Sequence, residues 1–326
     1  MGNQQTVLTK RSIVHQDHST DLNLLRIGRR DLIAAGLGAA TVAAGVAPEL
    51  AQAQQAPPAS SSSPIPSGPP GKVNVDRRGE VLLIGIDRPQ AQNLLDAPIL
   101  WGLGKAYYQL EHDDGLRVAV LHGLGGDFSV GIDVASVAAA QAAGTFPPKD
   151  EYINALGLRP PYRSKPVVVA VQGGVKYGAH ELFLAADIRV AATDTKFSQG
   201  EVTRGIFPGA GATVRLPREI GWGNAMRYML TGEEWSAEEA RRLGLVQDVT
   251  PVGKQIDRAV EFARKVAAAA PLGVRATLAF SRQPLSGDEA LFPPLTAELL
   301  RLNQSEDRKE FLRAAREGRA PVFKGI

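Results

Sequence analysis

Lys165-Pro166-Val167-Val168-Val169-Ala170-Val171-Gln172-Gly173-Gly174-Val175-Lys176-Tyr177-Gly178-Ala179-His180-Glu181-Leu182 is the stretch on which the fold turns. Its first half, Val167 to Val171, is a wholly apolar, β-branched run of strand length. The glycines that follow let a backbone approach a ligand closely, because glycine lacks a Cβ and tolerates unusual dihedrals. From Gly178 onward Leu182, Ala185 and Ala186 open a helix. Strand, glycine turn and helix follow one another within about twenty residues.

The same alternation extends outward. Val81-Leu82-Leu83-Ile84-Gly85-Ile86 and Val118-Ala119-Val120-Leu121 are further strands. Between them Leu100, Leu103, Tyr107 and Leu110 share one face of a helix predicted from Ile99 to Leu110. Ile256, Val260, Ala263 and Val266 form a similar stripe late in the chain. Strands separated by helices predict an α/β fold. The last segment, Leu291 to Ile326, reads as helical, with Leu299, Leu302 and Leu312 needing a core or a neighbouring subunit to cover them.

Of the 326 residues, 44% are hydrophobic and 22% charged, which is ample material for a buried core. The net charge of +3 comes from basic and acidic residues scattered together, so no nucleic-acid footprint is visible. With no cysteine, disulfides, thiolate metal sites and a cysteine nucleophile are excluded.

The N-terminus differs in kind. Gly28-Arg29-Arg30-Asp31-Leu32-Ile33 places paired arginines before an uncharged apolar stretch from Leu32 to Ala47, followed by Ala51-Gln52-Ala53. Charged region, apolar region and small-residue cleavage site stand in the order of an export signal, and the arginine pair resembles the twin-arginine class. The other reading is a surface helix with a chance arginine pair. The apolar stretch is shorter than the roughly 20 residues that a membrane-spanning helix needs. Residues 1–53 are therefore predicted as the signal and 54–71, rich in Pro, Ser and Ala, as a disordered linker. The mature protein would be periplasmic or otherwise exported, with no integral membrane span; it would be cytoplasmic if the signal is not used.

Two more glycine-rich turns flank the opening stretch. Gly123-Leu124-Gly125-Gly126-Asp127-Phe128-Ser129-Val130-Gly131-Ile132-Asp133 follows a strand, and Gly205-Ile206-Phe207-Pro208-Gly209-Ala210-Gly211 follows Glu201. The first lacks the third glycine of a dinucleotide fingerprint, and no Gly-x-Ser-x-Gly elbow occurs. Any one of these turns, alone, reads as an ordinary tight turn.

Their order is what resembles the crotonase (enoyl-CoA hydratase/isomerase) superfamily. Arg88-Pro89-x-Ala91-x-Asn93, Phe128-Ser129-Val130-Gly131-Ile132-Asp133, Gly173 through Glu181-Leu182, Asp187-Ile188-Arg189 and Phe197-x-Gln199-x-Glu201 fall in register with it. So do Pro208-Gly209-x-Gly211, Leu216-Pro217-Arg218, Thr231-Gly232, Gly244-Leu245-Val246, Ser305-Glu306-Asp307 and Phe323-Lys324-Gly325. The resemblance covers about Val73 to Gly325. It implies a spiral of β-β-α units over 72–270 and a C-terminal helical trimerisation region over 271–326, giving a homotrimer or a dimer of trimers.

It also implies an acyl-CoA substrate, coenzyme A being part of that substrate, with no tightly bound cofactor, metal or nucleic-acid partner. The thioester carbonyl would sit between the backbone amides of Ile132 and Gly178. Glu181 and Glu201 occupy the two hydratase carboxylate positions, Glu181 toward water and Glu201 toward the α-carbon proton. Ala91, Asn93, Gly131, Asp133, Tyr177, His180 and Gly209 would line the substrate.

Departures from the pattern sharpen the reading. Tyr177-Gly178-Ala179 replaces a run of three glycines, and Lys176 and His180 are added, so the acyl pocket is narrowed or polarised. His180 reads either as a third titrating group or as a structural histidine. Gly200 stands where a proline commonly precedes the second glutamate, which would loosen Glu201. Arg275 and Arg282 are the candidates for CoA phosphates. Because CoA thioesters are chiefly intracellular, export favours as the alternative a hydrolase or lyase acting on a non-CoA carbonyl such as a β-diketone; a third reading, a non-catalytic trimeric binding protein that keeps the fold, is opposed by the retention of both Glu181 and Glu201.

Overall fold

Val81–Asp87 and Val167–Val171 are apolar and buried almost throughout, a pattern that only a strand covered on both faces can satisfy. The computed structural model describes residues 68–326 apart from 149, 205–206, 283–300, 302–303 and 320. The predicted signal and Leu299 and Leu302 lie outside the described residues.

A six-stranded sheet is built from β1 (Lys72–Arg78), β2 (Val81–Asp87), β3 (Val118–Gly123), β4 (Val167–Val171), β6 (Ile188–Ala192) and β9 (Asp248–Thr250), in that spatial order. β1 is antiparallel to β2, and every later neighbour is parallel. β5 (Gly174–Lys176), β7 (Lys196–Ser198) and β8 (Trp235–Ser236) form a second, three-stranded sheet. Consecutive strands therefore divide between sheets: β4 then β5, followed by helix; β6 then β7, followed by helix. That division is the β-β-α spiral.

The larger sheet is covered on both sides. Helix α1 (Ala97–His112) buries Leu100, Leu103, Tyr107 and Leu110 in the main core, as predicted. After α2 (Val134–Ala142) and α3 (Gly178–Leu184) come α4 (Ala212–Ile220), α5 (Trp222–Thr231) and α6 (Ala237–Arg242). Helix α7 (Gln255–Ala267) lays Ala259, Val260, Ala263 and Ala267 on Val118, Val120, Val168 and Val190. The described C-terminal helices are α8 (Pro271–Ser281) and α9 (Glu306–Glu317); 321–326 is non-helical, and 291–300 of the stretch predicted as helical lies outside the described residues. Asp307 ties the tail down by accepting from the Lys324 amide at 2.6 Å and the Gly325 amide at 2.9 Å.

Two expectations change here. Residues 68–71 are held rather than loose: the Gly71 amide donates to Asp96 at 2.7 Å, and buried Arg88 donates to the carbonyls of Gly68 and Pro69. Arg282 is committed to Asp187 at 2.6 Å and to the Arg163 carbonyl at 2.7 Å, which leaves it a framework cation instead of a phosphate ligand.

Candidate active site

The turns after β3 and β4 are stitched to each other. Phe128 N–H donates to the Gln172 carbonyl at 2.8 Å, and Gly174 N–H donates to the Asp127 carboxylate at 2.7 Å. A bridge between Ser129 and Val175 continues the seam. At its end Ile132 lies on Gly178, where an added Cβ would sit 2.5 Å from Ile132 Cδ1. The Ile132 amide has no acceptor among the described residues; nor has that of Gly178, which starts α3, where N–H groups lack intrahelical acceptors. The structure thus brings the two residues of the predicted oxyanion amides, Ile132 and Gly178, into contact, with both N–H groups without an acceptor among the described residues.

Tyr177 sits between these loops. It adopts φ 54°, a left-handed conformation that costs a non-glycine residue about 1–3 kcal/mol. Its amide donates to the Ser198 carbonyl at 2.9 Å, its ring lies beside Gly131, and the Arg204 guanidinium stacks 3.8 Å from the ring centroid. Strain of this kind persists only where neighbours over-determine it.

Glu181 points from α3 into the third glycine turn. One carboxylate oxygen, Oε1, accepts the Ala210 amide at 2.7 Å and the Ala212 amide at 3.1 Å. Gly209 shapes this turn beside Ala210, and Gly211, at φ 118°, starts α4. Burial pushes the Glu181 carboxyl up to about 7; the two amides oppose that rise and the charge of Glu201 adds to it.

Glu201 opens the short 3-10 turn Glu201–Arg204 and is 5% exposed. Its Oε1 accepts the Gln199 side-chain amide at 2.8 Å, while Oε2 is buried without a partner. Burial raises its pKa, against its own backbone amide, Gln199 and Arg204. The expected loosening by Gly200 does not occur, because Gln199 holds the carboxylate. Gly200 fits for another reason: a Cβ there would press to 3.2 Å of Gly232 Cα.

The remaining predicted residues shape the site from outside it. Ala91 is fully buried in the core. Asn93 accepts from the Arg88 amide at 2.8 Å and donates to the carbonyls of Leu124 and Asp127 at 2.7 and 2.8 Å, shaping the first loop. Asp133 caps α2 through the Ser136 amide at 3.0 Å and pairs with Arg88 at 3.1 Å. His180 is fully buried, and burial holds its imidazole down to about 4, so it stays neutral rather than acting as a third titrating group near neutral pH. Gln199, Ala210 and Ala212 hold the two glutamates, a role that the sequence does not assign to them. Gln199, two positions before the glutamate, carries a readable signal; backbone donors carry none.

Two fixed amide donors beside two buried carboxylates can stabilise an oxyanion and move a proton next to it. The arrangement, on a β-β-α spiral, defines a crotonase-fold enzyme. The family model described as enoyl-CoA hydratase/isomerase matches residues 76–325. Enoyl-CoA hydratase EchA19 of Mycobacterium tuberculosis is 34% identical over 270 residues, covering 79% of this chain and 98% of that protein. The (E)-benzylidenesuccinyl-CoA hydratase of Thauera aromatica is 36% identical over 265 residues, 78% of this chain and 99% of that one. Among solved structures, a probable enoyl-CoA hydratase/isomerase from Mycobacterium abscessus superposes with a TM-score of 0.74 at 42% identity, covering 78% of this chain and 99% of that one. The chain belongs to the enoyl-CoA hydratase/isomerase family.

Among the described residues no cluster of His, Asp or Glu is placed to hold a metal ion, and no helix is long and apolar enough to cross a membrane.

The raised carboxyl of Glu181 makes stability depend on pH. A carboxyl that binds its proton more tightly folded than unfolded stabilises the protein below its ordinary value of 4.5, and that contribution is lost as pH rises through about 7. Glu181→Gln removes the buried charge, so the variant is expected to exceed the parent in unfolding free energy by about 1–3 kcal/mol at pH 8 and to match it near pH 4. Urea denaturation at both pH values measures this; equal curves at pH 8 would show that the site does not strain the carboxylate.

Proposed function

We propose that this enzyme is a hydro-lyase that adds water across the double bond of a 2-enoyl-CoA thioester. The observation that carries the reading is a pair of unspent backbone amides, at Ile132 and Gly178, with buried Glu181 one turn along α3 from Gly178 and buried Glu201 near enough to act on its charge. The Ile132 and Gly178 amides receive the thioester oxygen as it gains charge, a contribution typically worth about 2.7–4 kcal/mol of barrier per donor. Glu181, with Oε1 fixed by Ala210 and Ala212, holds water through its other oxygen and takes one water proton as the C3–O bond forms. The π electrons pass to C2 and the thioester oxygen as an enolate. Glu201 then delivers a proton from its unpartnered Oε2 to C2. One water is added in total, and the glutamates recover their protonation through solvent.

On this reading Glu181 must be ionised and Glu201 protonated, so kcat/KM is expected to rise about tenfold per pH unit below pH 7 and to fall again at higher pH along a limb that belongs to Glu201. A flat profile from pH 5 to 8 would remove Glu181 as the base. The enzyme's proposed form is an exported homotrimer or dimer of trimers, with residues 1–53 as its twin-arginine-type signal and CoA arriving only as part of the substrate.

The deciding experiment follows loss of the conjugated enoyl-thioester absorbance when residues 54–326 meet crotonyl-CoA and longer 2-enoyl-CoAs. Turnover that disappears in Glu181→Gln establishes the hydratase. No turnover and no CoA binding favours the exported lyase or hydrolase on a non-CoA carbonyl, the reading that the paired arginines Arg29 and Arg30 support.

A further inference from the structure

His180 is a buried polar side chain in a place that an apolar one would fill. It is fully buried and ringed by Phe183, Phe197 and Trp235 at centroid separations of 5.6, 5.8 and 5.2 Å. Its Nε2 has no partner. A leucine or phenylalanine would leave no orphaned nitrogen there, and burying an unpartnered polar atom is costly. The one polar bond that His180 makes, through Nδ1, goes to Gln199 Oε1. The other end of that same amide, Nε2, donates to Glu201 Oε1 at 2.8 Å.

We infer that His180 is a positioning residue: by donating Nδ1–H to Gln199 it fixes the orientation of that amide, which holds Glu201 Oε1 as an acceptor and leaves Glu201 Oε2 as the oxygen that exchanges protons with substrate. The chain of bonds has one consistent polarity. Glu201 Oε1 accepts whether the group is ionised or carries its proton on Oε2, so Gln199 presents its NH₂ to Glu201 and its carbonyl oxygen to the histidine. The histidine must then carry its proton on Nδ1, which leaves Nε2 as the unprotonated nitrogen. An imidazole that remains neutral down to about pH 4 keeps this arrangement unchanged wherever the enzyme works. Without His180 the amide is free to turn over, and its carbonyl oxygen would then face the carboxylate and repel it.

The charged groups around the relay are few. Glu201 faces Glu181 from α3 and Arg204 from its own turn, and Arg189 of β6 acts on His180. Among the described residues Glu181, Arg204 and Arg189 make no hydrogen bond to the Gln199 side-chain amide, so removing the histidine should alter Glu201 through Gln199.

The test compares His180→Leu, His180→Asn and Gln199→Leu with the parent. Its kinetic arm rests on the hydratase reading. There His180→Leu is expected to lower kcat on crotonyl-CoA about tenfold with KM changed less than twofold, and to move the limb of the pH profile that belongs to Glu201 upward. His180→Asn, whose side-chain NH₂ can donate near the place of Nδ1, should recover most of that loss. The recovery should vanish in a Gln199→Leu background, where His180→Leu adds nothing further. A second arm needs no turnover: carboxyl carbon NMR of Glu201 should show its titration at higher pH in folded His180→Leu than in the parent. If His180→Leu folds and both the kinetics and the Glu201 titration match the parent, the inference is overturned. So it is if the His180 and Gln199 effects simply add. A parent without turnover would sink the hydratase reading while the NMR arm still decides the relay.

Discussion

Glu201→Gln is expected to lower kcat on a 2-enoyl-CoA by about 10²–10⁴-fold, the range that a positioned general acid supplies, while leaving substrate affinity within a few-fold. The amide keeps the size of the carboxyl and can still accept from Gln199 through its carbonyl oxygen, so the fold and the hydrogen bond survive. What is lost is the proton on the other oxygen, which an amide cannot give to carbon. Glu181→Gln should cost a similar factor, because its Oε1 contacts to Ala210 and Ala212 persist but no base remains for water. Since both residues serve one step in the proposed hydration, the double variant should be hardly slower than either single one. Stopped-flow or steady-state loss of enoyl absorbance gives kcat, and equilibrium binding of a saturated acyl-CoA gives affinity. Parent-like kcat in Glu201→Gln would take that residue out of the chemistry.

Much of the frame that carries these glutamates is legible in the amino-acid sequence. Val81–Asp87, Val118–Gly123 and Val167–Val171 stand out because a strand buried on both faces must be apolar throughout, and α1 stands out because one buried face repeats every three or four residues. The second sheet does not. Gly174–Lys176 and Lys196–Ser198 are three residues each, too short to display a period, and they pair only because the spiral lays them side by side. The glutamates can be named from their glycine surroundings, but not what holds them. Ala210 and Ala212 act through backbone amides, which any residue type supplies. Asn93 and Asp133, expected to face substrate, instead shape the first loop and cap α2, a distinction that depends on where each side chain points. His180 and Gln199 meet across 19 residues, a distance over which sequence spacing says nothing about contact.

The largest effect on the fold is expected at Gly173. Its φ is 54°, and a Cβ there would lie 2.1 Å from the Gly126 carbonyl oxygen and 2.7 Å from Asp127 Oδ1. The first of these is backbone and cannot swing aside, so Gly173→Ala must either separate the two glycine turns or force the residue out of its left-handed conformation. The dihedral alone costs about 1–3 kcal/mol and the overpacking a similar amount. Either escape also breaks the seam that sets Ile132 against Gly178, because Gly174 N–H and Phe128 N–H bond across it immediately beside the clash. Gly173→Ala is therefore expected to destabilise the protein by about 3–5 kcal/mol, lowering Tm by roughly 10 °C, and to reduce turnover in whatever fraction still folds. Gly126→Ala is the matched control. It lies in the facing turn, has no left-handed φ, and an added Cβ meets nothing within 4 Å. That variant should stay within about 1 kcal/mol of the parent. Thermal unfolding of the pair separates the two causes: a large loss at Gly173 alone locates the constraint in the contact between the turns, whereas equal losses at both would mean that glycine freedom in general, and not this close approach, holds the site in shape.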